Sequence, residues 1–97
     1  MKQFTVIACR WFDKINGNTY HSVRCIRHSD NAVCVGGFRY GYEDHYQQTA
    51  LMVMFDAGWL PYKEFNKCHR YEMDNNYPII WTVSDGLKRD CVANGKL

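Results

Sequence analysis

Cysteine and histidine are the residue types in this chain with the widest chemistry. Five cysteines stand at 9, 25, 34, 68 and 91, and four histidines at 21, 28, 45 and 69. A thiol beside an imidazole base can make a nucleophile, and two well-spaced ligand pairs can hold zinc. The spacing supports neither. There is no Cys-x2-Cys pair, and Cys25-x2-His28 is at best half of a zinc site. If both residues are extended, they point to opposite faces of a strand. No thiol and base are singled out as a catalytic pair. The adjacent acids Glu43 and Asp44 diverge by about 100° on a helix, so they do not converge as general acid and base. Glycine patterns that cradle phosphates or dinucleotides are absent. Cys9, Cys25, Cys34 and Cys91 read as small buried hydrophobes. The expectation is no enzyme, no catalytic residue, no metal and no cofactor, with a zinc-stabilised module as a distant third reading.

Residues able to bind are easier to find. The stretch Gly36-Gly37-Phe38-Arg39-Tyr40-Gly41-Tyr42-Glu43-Asp44-His45-Tyr46 leads into Gln47-Gln48-Thr49-Ala50. As a joint between strand and helix it is well supplied. The three glycines allow a tight strand exit. Phe38, Tyr42 and Tyr46 can seal the helix to the sheet, and Glu43 and Asp44 suit a helix N-terminus. As a surface it offers Tyr40, Tyr42, His45 and Arg39, and aromatics with arginine are preferred interface anchors. Arg24 and Arg27, with His28, Lys14 and Tyr20, form a second candidate, a basic sheet face able to contact nucleic acid. That count of bases is too small for strong salt-dependent affinity. The expected contact residues are therefore Arg24, Arg27, Tyr40, Tyr42 and His45.

Positioning these groups requires an antiparallel meander and a helix. Phe4 to Phe12 is rich in strand formers, and Asn16-Gly17 is a strong hairpin signal. Thr19–Ile26 returns, His28-Ser29-Asp30-Asn31 turns again, and Ala32–Phe38 forms a third strand. Tyr42, Tyr46, Ala50, Met54 and Ala57 recur at helical spacing, which predicts a main helix over 43–57. Gly58 is its left-handed stop and Pro61 prevents continuation. Residues 62–77 are a polar, variable excursion. Ile79 to Ser84 is a fourth strand, and Asp85-Gly86 predicts a hairpin to a weak fifth over 87–93. The predicted fold class is α+β: a meander over 4–38, plus a C-terminal hairpin over 79–93, packed on one main helix in a single domain over 1–97.

Bulk properties narrow the function further. Ninety-seven residues leave little room for a deep private active site. Residues 1–42 hold six bases and two acids, and residues 43–97 hold six bases and eight acids, so the formal charge of +2 is mildly asymmetric. That is weaker than the basic field of most nucleic-acid domains and opposite in sign to an acidic DNA mimic. No stretch reaches the ~20 apolar residues of a membrane span, and Arg10 interrupts any N-terminal apolar run. The odd cysteine count fits free thiols in a reducing cytosol.

Two stretches, Trp11 to Arg24 (WFDKINGNTYHSVR) and Tyr40 to Ala50 (YGYEDHYQQTA), together resemble a group of small bacteriophage and prophage proteins. The resemblance covers about residues 4–61 and carries no catalytic mechanism. It implies a non-enzymatic inhibitor in the host cytoplasm that binds a host defence complex. The style of chain is similar to that of anti-CRISPR proteins, which block an effector surface. A small nucleic-acid-binding regulator is the alternative, and exposed Trp59 or Trp81 would suit a homodimer.

Overall fold

The computed structural model describes residues 3–60 and 79–97. Three consecutive strands, β1 (Phe4–Asp13), β2 (Asn18–Arg27) and β3 (Ala32–Tyr40), form the antiparallel meander. The β1–β2 turn is organised by Asp13. Its carboxylate accepts from the Ile15 and Asn16 backbone N–H groups (3.0 and 3.3 Å) and from the Asn16 side-chain amide (2.8 Å). Gly17 then takes φ +72, a conformation glycine adopts without the Cβ penalty. These bonds favour the ionised form and lower the Asp13 pKa. The β2–β3 turn is held by Arg27, which donates twice to the Asp30 carboxylate (2.9 and 2.7 Å).

The fourth strand, β4 (Ile79–Asp85), joins beside β1, giving the order β3-β2-β1-β4. It runs parallel to β1, with Phe4 opposite Ile79 and Arg10 opposite Asp85. The fold is therefore α+β with a mixed four-stranded sheet. The expected hairpin partner over 87–93 is not a strand. Lys88–Asn94 is a helix, α2, and Asp85-Gly86 is a strand-to-helix junction. Seven residues make a marginal helix alone, so tertiary bonds hold this one. The buried Ser22 hydroxyl donates to the Cys91 carbonyl, and the Asn94 amide donates to the Ile7 carbonyl at 3.0 Å.

Alternation along the strands gives the sheet two different faces. Phe4, Val6 and Ala8 of β1, Val23 and Cys25 of β2, and Ile79 of β4 pack with the main helix α1 (His45–Asp56). That helix buries Tyr46, Thr49, Ala50, Leu51 and Met54; of the expected stripe Tyr46, Ala50 and Met54 are buried, whereas Tyr42 and Ala57 at its two ends are exposed. It ends in a Schellman motif: Trp59 N–H bonds Met54 O, Gly58 N–H bonds Phe55 O, and Gly58 has φ +80. Trp59 then stacks on Phe4 at 6.0 Å between ring centres. α2 lies on the opposite face, tied to Ser22 and Ile7.

The glycines of the 36–50 stretch act differently from the expectation. Gly36 and Gly37 lie inside β3, and neither has positive φ. A Cβ on Gly36 would come within 2.8 Å of Thr49 Cγ2 and Val23 Cγ2, so its bareness lets α1 approach the sheet. From the other side, a Cβ on Gly95 would come within 2.9 Å of the Gly36 carbonyl and 3.0 Å of Gly37 Cα. The two helices thus close on the sheet at its thinnest place. Here the β2–β3 register shifts by one between His21 and Val23. The helix also starts later than expected: Glu43 precedes it with φ +53, and Asp44 at the N-cap makes no side-chain capping bond. The excursion over 62–77 lies outside the described residues.

Candidate binding surface

The five expected contact residues do not form one site. Arg24 and Arg27 are three apart on β2, an odd spacing, and so point to opposite faces. Arg24 donates to the Lys96 carbonyl beyond the end of α2 at 2.9 Å. Arg27 lies on the α1 side, 4.9 Å over the Trp59 ring, and is paired with Asp30. The proposed single basic sheet face is therefore absent from the described residues. Cys25 likewise faces the α1 core, while His28 pairs its Nε2 with Thr5 Oγ1 at 2.6 Å. Among the described residues, no cluster of three or more His, Cys, Asp or Glu could hold a metal.

Tyr40 and Tyr42 do come together. They are 56% and 57% exposed, with ring centres 6.4 Å apart. Behind them runs a ladder of rings on the α2 face, beyond the end that α2 covers. Tyr20 meets Tyr40 edge-on at 5.8 Å and stacks on Phe38 at 5.2 Å. Trp11 closes the group, 5.8 Å from Tyr20 and 6.2 Å from Phe38. Lys88, the first residue of α2, places its ammonium 5.6 Å from the Trp11 ring centre. Trp11, Tyr20 and Phe38 are half-buried; Tyr20 supports Tyr40, and Tyr42 meets the group through Tyr40. Phe38 and Tyr42 thus do not seal the helix to the sheet; Tyr46 alone of the three does so.

The ladder borders an open cleft of about 1010 Å³ whose lining includes Arg10, Trp11, Phe12, Tyr42, Leu87 and Asp90. It exists because β1 runs past the end of its pairing with β4, which stops at Arg10–Asp85. Arg10 anchors that corner, donating to Asp85 at 3.2 Å and to the Glu43 carbonyl at 3.4 Å. Phe12 and Leu87 remain more than half exposed. Of this surface, Trp11, Tyr20, Phe38, Phe12 and Lys88 were not among the expected contacts. A signal for two of them was available: a hairpin through Asn16-Gly17 with this register sets Trp11 opposite Tyr20.

His45 sits on the other side of the Tyr42 loop. It is exposed, and its ring centre lies 5.6 Å from that of His21. His21, among the polar residues of β2, is buried beneath the start of α1. Its Nδ1–H donates to the Gly41 carbonyl (3.1 Å), and its Nε2 accepts from the Thr49 hydroxyl (2.7 Å). Burial first, then the charges of His45 and Arg39, lower its pKa, against the opposing effect of Gly41. A Cβ on Gly41 would come within 2.5 Å of the His21 ring, so this glycine makes room for the clip. Trp59 is buried and Trp81 is half-buried, with Tyr46 edge-on at 6.0 Å, so neither is the exposed dimer anchor expected.

Comparison with family models, curated proteins and solved structures returned no match. No described helix is long and apolar enough to cross a membrane.

Proposed function

We propose that this chain is a non-enzymatic binding protein whose contact surface is the aromatic ladder ending in Tyr40 and Tyr42. The observation that carries the reading is the pair of large, more than half-exposed rings in mutual contact, Tyr40 backed by the half-buried Tyr20–Phe38–Trp11 group, beside an open cleft. Pre-positioned tyrosines contribute contact area at low entropic cost, as interface hot spots do. The ladder favours a protein partner over the nucleic-acid regulator, because the bases Arg24 and Arg27 are on opposite faces and each is already engaged. The phage resemblance of residues 11–24 and 40–50 supports a host defence complex as that partner, with a CRISPR effector as the leading candidate, blocked in the host cytoplasm by occupation of a surface.

The test is a plaque assay. A phage targeted by an active CRISPR system is plated on a host expressing either the wild-type chain or a Tyr40→Ala/Tyr42→Ala variant. Wild type is expected to restore plaques, and the variant to fail at equal expression. Plaques restored equally by both would remove the surface. No restoration across CRISPR types would remove the anti-CRISPR assignment.

A further inference from the structure

We propose that Cys34 and Cys25 form a thiol–disulfide exchange site, with Cys34 as the attacking thiol and Cys25 as the resolving thiol, served by a low-molecular-weight disulfide such as glutathione disulfide. The two residues are direct partners across the antiparallel β2–β3 ladder. Such partners lie about 4.5–5.5 Å apart at Cα, within the ~4.4–6.8 Å that a disulfide spans. Both are free thiols, and they differ in access: Cys25 is fully buried, whereas Cys34 is half-buried on the edge strand.

Access assigns the roles: a small disulfide can reach half-buried Cys34 but not fully buried Cys25. The shifts run the same way, since the Cys25 side chain lowers the Cys34 pKa and the Cys34 side chain raises that of Cys25. The Arg27 guanidinium, itself paired with the Asp30 carboxylate, lowers the Cys34 pKa further, while burial opposes it. At Cys25, burial reinforces the upward shift. The α1 face against the sheet presents Tyr46, Thr49, Ala50, Leu51 and Met54, none of them charged. A thiolate stabilised by a cation, partly exposed, beside a buried second thiol is the arrangement that exchange requires. Cys9 and Cys91 are also neighbours, but both are buried, and Cys91 is pushed up to about 12 by burial first and then by Cys9. That pair is an internal control.

The step balances. The Cys34 thiolate attacks one sulfur of glutathione disulfide, breaks its S–S bond, and expels one glutathione thiolate, which takes a proton. Cys25 loses its proton and attacks Cys34 Sγ, expelling the second glutathione as its thiol. Counted from the dithiol, whose Cys34 proton passes to solvent and then to the first glutathione thiolate, the protein gives up two electrons and two protons, the glutathione disulfide gains them, and the new bond ties β3 to β2.

The experiment uses the purified full chain in glutathione buffers stepped from reducing to oxidising, acid-quenched, alkylated and mapped by mass spectrometry. The expected product is a Cys25–Cys34 cross-link, with Cys9 and Cys91 still alkylated. Cys25→Ser is expected to stop at glutathione on Cys34, and Cys34→Ser to leave Cys25 reduced. In wild type, Arg27→Gln is expected to slow Cys34 alkylation near pH 7 by about threefold or more, because the local thiolate fraction falls. The proposal is overturned if wild type stays reduced in oxidising buffer, if it accumulates mixed disulfide without closing, or if it cross-links through Cys9 and Cys91 instead.

Discussion

Acidification should loosen the start of α1 through one buried group, His21. In the neutral ring, Nδ1–H donates to Gly41 and Nε2 accepts from Thr49, so both nitrogens are satisfied without charge. A proton added at Nε2 turns that acceptor into a donor. The Thr49 hydroxyl can then turn to its second acceptor, the His45 carbonyl at 3.4 Å. The hydrogen bonds can therefore adapt, and the cost lies in a buried charge facing Arg39 and His45. The folded pKa is below the ordinary value of 6.5. Above that value both folded and unfolded states are neutral, and stability is flat. Below it the unfolded chain takes up the proton first, so stability falls by up to about 1.4 kcal/mol per pH unit until the folded pKa is reached. Urea unfolding at steps from pH 8 to pH 5 measures this slope. His21→Gln should cost about 1–3 kcal/mol at pH 8 through lost buried hydrogen bonds, and should flatten the slope. The wild-type advantage should therefore shrink on acidification. An equal slope in the variant, or stability that rises with acid, would refute the reasoning. Asp30 titrates in a separate window: Arg27 lowers it to about 2, so its contribution is present above about pH 4 and fades as pH falls toward that value.

Other outcomes can be checked by the same unfolding assay or by binding. Gly36→Ala should cost about 1–3 kcal/mol, because its Cβ meets Thr49 and Val23 at 2.8 Å, while Gly37→Ala, with nothing within 4 Å, should cost far less of that crowding penalty. Glu43→Gly should stabilise by roughly 0.5–1 kcal/mol by relieving φ +53; no gain in urea unfolding would show that the residue is not strained. Tyr40→Ala and Tyr42→Ala should each weaken partner binding by about 2 kcal/mol, roughly 30-fold, with a stability change of about 1 kcal/mol or less.

The local signals in this chain were strong where one residue decides a turn. Gly17 and Gly58 both adopt the left-handed conformation expected of them, and the meander and main helix follow between. Longer-range features were hidden. β4 lies parallel to β1, a direction that the residues of β4 do not themselves encode. α2 resembled a strand because Leu87, Cys91 and Val92 give barely two turns of pattern, and Ser22 and Asn94 supply what its propensity lacks. Arg24 and Arg27 looked adjacent, but strand parity separates them. Tyr40 and Tyr42 were legible as candidate surface anchors, although Tyr42 also read as a seal between helix and sheet, which its exposure overturns. The ladder behind them needed the register that sets Tyr20 opposite both Trp11 and Tyr40. His21 was missed because a histidine among Tyr20, Ser22 and Arg24 carries no sign of burial, which comes only with Thr49 of α1.

The most direct test of the binding account is affinity capture from a nuclease-treated lysate of a phage-susceptible host, with wild type and the Tyr40→Ala/Tyr42→Ala variant run side by side and quantified by mass spectrometry. The account predicts a stoichiometric host protein complex that wild type retains and the folded variant loses. The same proteins on both, or no protein that survives nuclease, would contradict it.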